Sequence, residues 1–197
     1  MSDQHVVTLS DGTRALVRPI RPEDKEKLAE GLERLSPQSH YLRFTRPVRD
    51  LTERELAFLT EVDYHDHYAW AALALDLPDQ PALGIARYVR DPGDPVVAEA
   101  AVAVVDEFQG RGLGKILLHL LARTAMSHGI TRFRAWVLPE NRKVTESLLR
   151  RGADLHYQEG LVQVDVPLSE TLEHEDSTLH NARHAGAGGE PTTEPKR

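Results

Sequence analysis

The sequence has 197 residues, with 24 Lys and Arg against 31 Asp and Glu, and a formal charge of −7. Its lack of cysteine excludes disulfides, thiolate metal sites and a cysteine nucleophile, and its acidic balance argues against a general nucleic-acid binder. No basic n-region opens the sequence and no run of 18 apolar residues occurs, so we expect no signal peptide, no membrane span and a cytoplasmic protein.

The first third of the sequence predicts one strand and three helices. Side chains alternate in character over residues 14–20, which predicts a strand. Pro22 suits a first helical position, and leucines at spacings of four and three extend that helix to about Leu35. A short helix then opens at Ser36-Pro37, and Thr52 with an acidic residue three positions later predicts a capped third helix.

The rest of the ordered sequence predicts strands and helices in turn. Strands are expected at 68–76, 82–90, 96–105, 133–138, 154–157 and 161–168, with helices at 112–128 and 140–151. The links between the first three of these strands are short and turn-rich, which favours antiparallel neighbours. We therefore predict an α/β (α+β) fold: a mixed, mostly antiparallel twisted sheet of about seven strands flanked by helices.

The end of the sequence differs in composition. Residues 169–197 are acidic, rich in His and Gly, and contain few large apolar side chains. Such a segment cannot bury enough surface to offset its ordering entropy, so we predict a disordered tail. Residues 1–168 are then expected to form the single folded domain.

The segment that carries chemistry is residues 96–118, an apolar strand followed by a glycine-rich turn and a helix. Gly110, Gly112 and Gly114 allow close approach of a ligand to the backbone, and the first N–H groups of the helix are unpaired. Arg111 and Lys115 lie where the helix dipole disfavours cations, which is reasonable if an anion such as a phosphate binds there. The alternative is a solvated helix start with both cations pointing outward.

Two common nucleotide motifs do not fit this turn. Gly110 and Gly114 enclose three residues rather than the four of a Walker A loop, and Ile116 stands where that loop has Ser or Thr. A dinucleotide fingerprint beginning at Gly110 would need glycine at position 115, which is lysine.

Gln109, Gly112 and Gly114 form the pattern Q-x-x-G-x-G between an apolar strand and a long helix. This resembles the acyl-CoA-binding signature of the GNAT superfamily of N-acetyltransferases, and the order of elements over residues 14–167 is similar to that family's fold. The resemblance implies acetyl-CoA as co-substrate and no metal, with backbone near the strand end holding the thioester carbonyl and pantetheine arm, and amides of the turn holding the pyrophosphate. The implied cofactor-binding residues are Val104, Val105, Gln109, Gly110, Arg111, Gly112, Leu113, Gly114, Lys115 and Asn141.

Asn141 belongs to this set because it opens the helix after residues 133–140, with Gly152 eleven positions later. That arrangement resembles the second acyl-CoA element of the family. Many members have, seven residues after the asparagine, a tyrosine that acts as general acid for the leaving thiolate. Here the residue is Leu148, and Ala153 stands where the family commonly has phenylalanine after the glycine.

The N-terminal half narrows the resemblance. The segments GTRALVRPIRPED, LSPQSHYLRF and LTERELAFLTEVDY look like the acetyltransferase domain of bacterial protein lysine acetyltransferases. This implies a primary amine acceptor, with a protein lysine first among the candidates. Two alternatives stay open: a small-molecule amine as acceptor, or a catalytically silent acyl-CoA-binding module. Neither nucleic acid nor membrane is expected as a partner, and the oligomeric state is left open.

Glu99 is the catalytic candidate. In related lysine acetyltransferases a glutamate at the matching place is the general base, and the resemblance implies that role here. Because its strand is so apolar, we expect Glu99 to be buried and therefore basic enough to accept a proton near neutral pH. The alternative is a solvent-facing carboxylate, or one paired with an arginine such as Arg87.

Other conspicuous side chains receive simpler interpretations. The pair His65 and His67 flanks an aspartate but has no clear third ligand, so surface histidines are favoured over a metal site. Charge alone suggests Glu61 and Asp63 as an acidic mouth for an ammonium group. Three side chains of the second helix could face the acceptor or belong to a half-buried amphipathic helix: Tyr41, Arg43 and Phe44. Both Trp70 and Trp136 are expected in the core.

Overall fold

The computed structural model describes residues 4–44, 51–150, 152–158 and 160–168. The predicted tail, 169–197, lies outside the described residues. The strands are β1 His5–Thr8, β2 Arg14–Pro19, β3 His67–Ala74, β4 Ala82–Asp91, β5 Asp94–Val104, β6 Arg132–Val137, β7 Asp154–Gln158 and β8 Leu161–Pro167. The helices are α1 Lys25–Glu33, α2 Pro37–Phe44, α3 Glu53–Thr60, α4 Leu113–Ser127 and α5 Arg142–Leu149, with 3₁₀ turns at Pro22–Asp24 and Asp106–Phe108.

Within the described residues the strands form one sheet in the order β1-β2-β3-β4-β5-β6-β8-β7. Every neighbouring pair is antiparallel except β5 and β6, which are parallel. The predicted mixed, mostly antiparallel sheet flanked by helices is therefore confirmed. The described sheet has one strand more than the seven predicted, because β1 is a four-residue edge strand too short to show a clear alternation.

The helices cover the two faces of the sheet unequally. Helices α1 and α3 pack on one face of β2–β4, where Ile20, Leu28, Val62, Ala69 and Ala71 are buried together. Helix α4 covers the other face of β3–β5 with leucines such as Leu117 and Leu121. Helix α5 packs beside it on β8, against a small cluster that includes Val162 and Val164.

Local signals in the sequence account for the helix ends. The Thr52 hydroxyl accepts the Glu55 N–H at 3.2 Å, and the Glu55 carboxylate accepts the Thr52 N–H at 2.8 Å, so the predicted capping box begins α3. Helix α4 starts after Gly112 and ends before Gly129, both of which have positive φ. No described helix is long and apolar enough to cross a lipid bilayer.

The feature that positions the site is a split between the two parallel strands. Strands β5 and β6 pair only from Val97–Arg132 to Glu99–Arg134. Beyond that point β5 runs on to Val104 and β6 to Val137, and β6 keeps only its pairing with β8. The sheet therefore opens into a wedge whose narrow end lies at Glu99.

Candidate active site

A cleft of about 760 Å³ fills the wedge between β5 and β6. This volume is within the range of small-molecule and cofactor sites, roughly 300–1,000 Å³. Its walls come from the open half of β5, the end of β6, the loop before α2 and the start of α5. The residues that line it include Leu35, Ser39, Ala103, Val104, Gln109, Trp136, Asn141 and Leu148.

The edge of β5 presents unpaired backbone groups to this cleft. The Val96 carbonyl accepts the Thr131 N–H at 2.9 Å on the β6 side, and the Val105 N–H donates to Leu83 at 2.9 Å on the β4 side. Backbone groups of a strand alternate in direction, so every second residue from Val96 points toward β6. Beyond the split, the residues with that orientation are Ala100, Val102 and Val104.

This geometry separates the two valines that were predicted to hold the thioester end of the ligand. The N–H of Val104 points into the cleft. The N–H of Val105 is taken by the Leu83 carbonyl, and its side chain is buried in the core. The expectation that the Val105 amide serves the ligand is therefore wrong, because alternation along β5 turns that amide toward β4.

Gln109 is exposed, and its side chain braces the end of the strand. Its Nε2 lies 3.0 Å from the Val104 carbonyl, 3.2 Å from Ser39 Oγ and 3.3 Å from Asp106 Oδ1. Burial by itself would raise the pKa of Asp106, but hydrogen bonds from Ser36 and Ser39 outweigh it and lower that pKa. Gln109 and Asp106 thus tie the start of α2 to the strand end that borders the cleft.

The turn before α4 exposes a row of backbone donors. Gly110 has φ +74° and Gly112 has φ +90°, and this left-handed backbone carries the chain from β5 into the helix. Within the described part of the chain, no acceptor engages the N–H groups of Gly112, Leu113 and Gly114. These donors, at the positive end of the α4 dipole, fit an anionic group such as a diphosphate.

The two cationic side chains of the turn, Arg111 and Lys115, differ in their surroundings. Arg111 pairs with Asp11 of the β1–β2 turn, and its guanidinium lies over the Phe108 ring, 4.9 Å from the centroid. Lys115 is exposed. The expected repulsion between Arg111 and the helix dipole is therefore offset inside the protein by Asp11, while Lys115 remains in position to meet an anion at the helix start.

Glu99 lies at the narrow end of the wedge, in the last register where β5 and β6 pair. It is exposed, and no hydrogen bond or ion pair holds its carboxylate among the described residues. The expectation of a buried Glu99 is wrong. Its neighbours Ala98 and Ala100 face α4 and are buried, whereas Glu99 points to the opposite face, beyond the reach of α1 and α3.

Arg134, directly across from Glu99 on β6, is already neutralised by other carboxylates. Its guanidinium contacts Asp91 at 3.0 Å and Asp165 at 3.2 Å. On the same face, the Arg87 guanidinium donates to His67 Nε2 at 2.7 Å and lies 4.8 Å from the centroid of the Phe58 ring. Burial, together with the charge of Arg87, lowers the pKa of His67 to about 4, so this histidine is neutral at physiological pH.

The far wall of the cleft carries Asn141, Leu148 and Trp136. Asn141 precedes α5, and its side chain makes no capping hydrogen bond to the helix, so its amide can face a ligand. Leu148 occupies the position at which many family members have a tyrosine, and it has no hydroxyl. Trp136, expected in the core, is only partly buried and lines the cleft, whereas Trp70 is buried as predicted.

The histidine and acidic residues before β3 have structural partners. Asp63 Oδ1 accepts the backbone N–H groups of residues 65–67 at 2.8–2.9 Å, and Glu61 pairs with Lys25 at 2.8 Å. These carboxylates shape the loop and hold α1, and the suggested acidic mouth stays a prediction. No group of three or more potential metal ligands occurs among the described residues.

Comparison with known proteins assigns this architecture. The family model for "Acetyltransferase (GNAT) family" matches residues 32–152, which is more than half of the chain. The chain belongs to the GNAT acetyltransferase family. The wedge between β5 and β6 and the donor-rich start of α4 are thus features of an acetyltransferase of this family.

Relatives with known names include Acetyltransferase Pat of Mycolicibacterium smegmatis, 35% identical over 91% of this chain and 54% of the relative. Acetyltransferase PA5475 of Pseudomonas aeruginosa is 33% identical over 64% of this chain and 68% of the relative. The chain therefore spans about half the length of Pat.

Among solved structures, the GNAT domain of S. lividans PAT is 32% identical and matches with a TM-score of 0.75 over 83% of this chain and 96% of that one. The fold is also similar to yncA of Salmonella typhimurium, 18% identical with a TM-score of 0.58 over 77% of this chain and 92% of that one, solved with acetyl-CoA.

The sequence identified the glycine-rich turn but missed other parts of the site. Trp136, Ser39 and Leu35 line the cleft and were not selected as ligand-facing residues. The open edge of β5 was also missed, although its alternation from Val96 onward is regular. What the sequence lacked was the register with β6, which shows where pairing stops.

Proposed function

We propose that this GNAT protein transfers the acetyl group of acetyl-CoA to a primary amine, with a protein lysine side chain as the leading acceptor. The observation that carries the proposal is the placing of two features at opposite ends of the open β5 edge. Free amides at the start of α4 lie beyond Val104, and the exposed carboxylate of Glu99 lies at the other end.

The described residues offer partners for two parts of acetyl-CoA, its diphosphate and its pantetheine arm. The N–H groups of Gly112, Leu113 and Gly114 would hold the diphosphate, supported by Lys115. The pantetheine arm carries amide groups. The backbone groups of Ala100 and Val102 and the N–H of Val104 offer it the partners that a neighbouring strand would otherwise supply, while the Val104 carbonyl is held by Gln109. Asn141 faces the same space from the α5 side.

Glu99 is proposed as the general base. A lysine ammonium must lose a proton before its nitrogen can attack the thioester carbonyl. In the step, the nitrogen–carbon bond forms, the carbon–sulfur bond breaks, Glu99 receives the proton of the amine and the sulfur leaves as thiolate. Because Glu99 is exposed on an uncovered part of the sheet, a side chain presented by a large protein can reach it.

Leu148 supplies no acid to the cleft at the position where many family members have a tyrosine. The low pKa of a thiol, compared with that of an amine, allows the thiolate to leave without an acid. The exposed sheet face that carries Glu99 supports a protein acceptor.

The test is an acetyl-transfer assay with labelled acetyl-CoA, a lysine-rich protein and a panel of small amines. Thiol release with label on protein lysines supports the proposal. Label on a small amine alone would move the acceptor to the small-molecule class. Tight binding of acetyl-CoA without thiol release, with any acceptor, would contradict acetyl transfer and leave a binding module.

A further inference from the structure

A row of charged side chains crosses the sheet at Glu99. Glu99 on β5 is in register with Arg134 on β6, and Arg134 is in register with Asp165 on β8. Residues in register on neighbouring strands point to the same face of a sheet, so these three side chains lie side by side. An arginine directly across from a glutamate ordinarily pairs with it, because the opposite charges attract.

Two other carboxylates hold the Arg134 guanidinium instead. Asp91 Oδ2 accepts a hydrogen bond from its Nη1 at 3.0 Å, and Asp165 Oδ1 accepts one from its Nε at 3.2 Å. Asp91 ends β4 and Arg134 belongs to β6, so this ion pair reaches across β5 on the face of Glu99. Because Asp91 is in register with Asp94, the guanidinium is drawn toward the start of β5 and away from its open half.

Each of these carboxylates is oriented by a second partner. Asp91 Oδ1 accepts the Gly93 N–H at 2.8 Å, and Asp165 Oδ2 accepts a hydrogen bond from Gln163 Nε2 at 2.6 Å. The side chains of Asp91 and Arg134 are 30% and 28% exposed, and that of Asp165 is 11% exposed. The two ion pairs are therefore better shielded from water than a fully exposed surface pair, and they restrain the guanidinium more firmly.

Other charged groups near Glu99 stay the same in the comparison made below. Val89, directly across from Glu99 on β4, is uncharged, and helices α1 and α3 pack over β2–β4 without covering Glu99. Besides Arg134, Asp91 and Asp165, the titratable or charged side chains of β3–β8 that share this face are His67, Arg87, Arg132, Asp154 and His156.

We propose that Asp91 and Asp165 are positioning residues of the reaction, which withhold Arg134 from the general base. The inference rests on the proposed function, in which Glu99 accepts the proton of the amine. A carboxylate that is paired with a guanidinium is a weaker base, because the cation stabilises its charged form. By holding Arg134, the two aspartates leave the Glu99 carboxylate open to the incoming ammonium group.

The test measures kcat/KM for the acceptor between about pH 5 and 9, with thiol release as the readout. In Asp91→Asn the amide oxygen can still accept the Gly93 N–H, but the charge that holds Arg134 is gone. Arg134 then turns toward Glu99, so the pH of half-maximal kcat/KM on the acid side should fall by about half a unit to one unit. The plateau should fall by about threefold to tenfold, because a paired carboxylate accepts a proton less readily.

Asp165→Asn should shift the acid side of the profile in the same direction, because it removes the other carboxylate that holds Arg134. Circular dichroism at each pH restricts the comparison to conditions in which the proteins stay folded.

A rescue variant and a control separate this role from a structural one. In Asp91→Asn combined with Arg134→Gln no guanidinium can turn to Glu99, so the half-maximal pH should return to within about 0.3 units of the unmodified value. Asp76→Asn is the matched control, because it also removes an ion pair between an aspartate and an arginine, Arg14, but on β2 and far from Glu99. Its pH profile should be unchanged.

A lower kcat/KM in Asp91→Asn and Asp165→Asn without movement of the acid side of the profile would indicate a structural role and overturn the inference. A shift that persists in the double variant would also overturn it, since Arg134 would not be the cause. If Glu99→Gln abolishes the acid side of the profile while both aspartate variants leave it in place, only the inference fails. If Glu99→Gln keeps full turnover, or no thioester is turned over with any acceptor, the proposed function fails and the inference fails with it.

Discussion

At the scale of single residues, the proposed reaction depends most on a carboxylate that the fold leaves uncovered. Glu99 ends the paired part of β5 and β6, and its neighbour across the strands, Arg134, is held by Asp91 and Asp165. Arg134 therefore does not take Glu99 into an ion pair of its own. This leaves the Glu99 carboxylate available to a proton from an incoming ammonium group.

Replacing Glu99 by Gln should lower kcat for acetyl transfer at neutral pH by about 100-fold or more, because general-base catalysis contributes roughly 10²–10⁴. The KM for acetyl-CoA should stay within about threefold, since the amide keeps the size of the side chain and the carboxylate does not contact the diphosphate end. Steady-state kinetics with both substrates varied would separate the effect on kcat from the effect on KM.

Glu26→Gln, at an exposed glutamate of α1, is the matched control and should behave as the unmodified protein. Full turnover in Glu99→Gln would remove Glu99 from the mechanism.

At the scale of elements, the important structure is the start of α4. Gly112 has φ +90°, and a Cβ built there would meet nothing within 4 Å. A side chain at this position therefore acts through backbone strain rather than through a clash. Relief of that strain would turn the first amides of the helix away from the anion they are proposed to hold.

Gly112→Val should raise the KM for acetyl-CoA by about tenfold or more, which corresponds to about 1.4 kcal/mol of lost binding. The helix offers a control of the same kind at its other end. Gly129 has φ +80° and equally open space, so Gly129→Val introduces similar strain away from the cleft. It should lower the free energy of unfolding without changing that KM. Equal KM values in the two variants would contradict the role of the α4 start.

Elements were predicted well where the signal is local to a few residues. The Thr52 capping box and the glycines at the two ends of α4 fix helix ends by hydrogen bonds and backbone angles, which depend on neighbouring residues in the sequence. The burial of Glu99 was predicted wrongly for the opposite reason. Whether a strand residue is covered depends on which helix packs over it, and α1 and α3 are distant in sequence.

The same distinction explains the two valines at the end of β5. An apolar pair in sequence gave no reason to separate Val104 from Val105, and both were predicted to serve the ligand. Only the register with β4 shows that the Val105 amide pairs with Leu83 while the Val104 amide faces the cleft. Information of this kind comes from pairing between strands.

At the scale of the whole molecule, a buried histidine links stability to pH. The pKa of His67 is lowered to about 4 by burial and by Arg87, whereas in the unfolded chain it returns to about 6.5. Between these values the unfolded state binds more protons than the folded state, so folding stability falls as the pH falls from about 6.5 toward 4. Above this window His67 is neutral in both states and contributes no slope.

The unmodified protein should therefore lose about 3 kcal/mol of stability from His67 across that window. His67→Gln keeps an acceptor for Arg87 but does not titrate. The loss of stability that His67 causes in the unmodified protein should therefore be absent from the free energy of unfolding of this variant. Urea unfolding at several pH values measures both proteins. Parallel pH profiles for the two would show that His67 is not the titrating group.

The central claim concerns the whole architecture: that the start of α4 and the open edge of β5 together bind coenzyme A through its diphosphate and its pantetheine arm. The most direct measurement is calorimetric titration of the protein with CoA, acetyl-CoA and pantetheine, which lacks the phosphates. We predict saturable binding of CoA and acetyl-CoA, with pantetheine weaker by about 100-fold or more. No saturation with CoA or its acetyl ester at millimolar concentrations, or equally tight binding of pantetheine, would contradict the account.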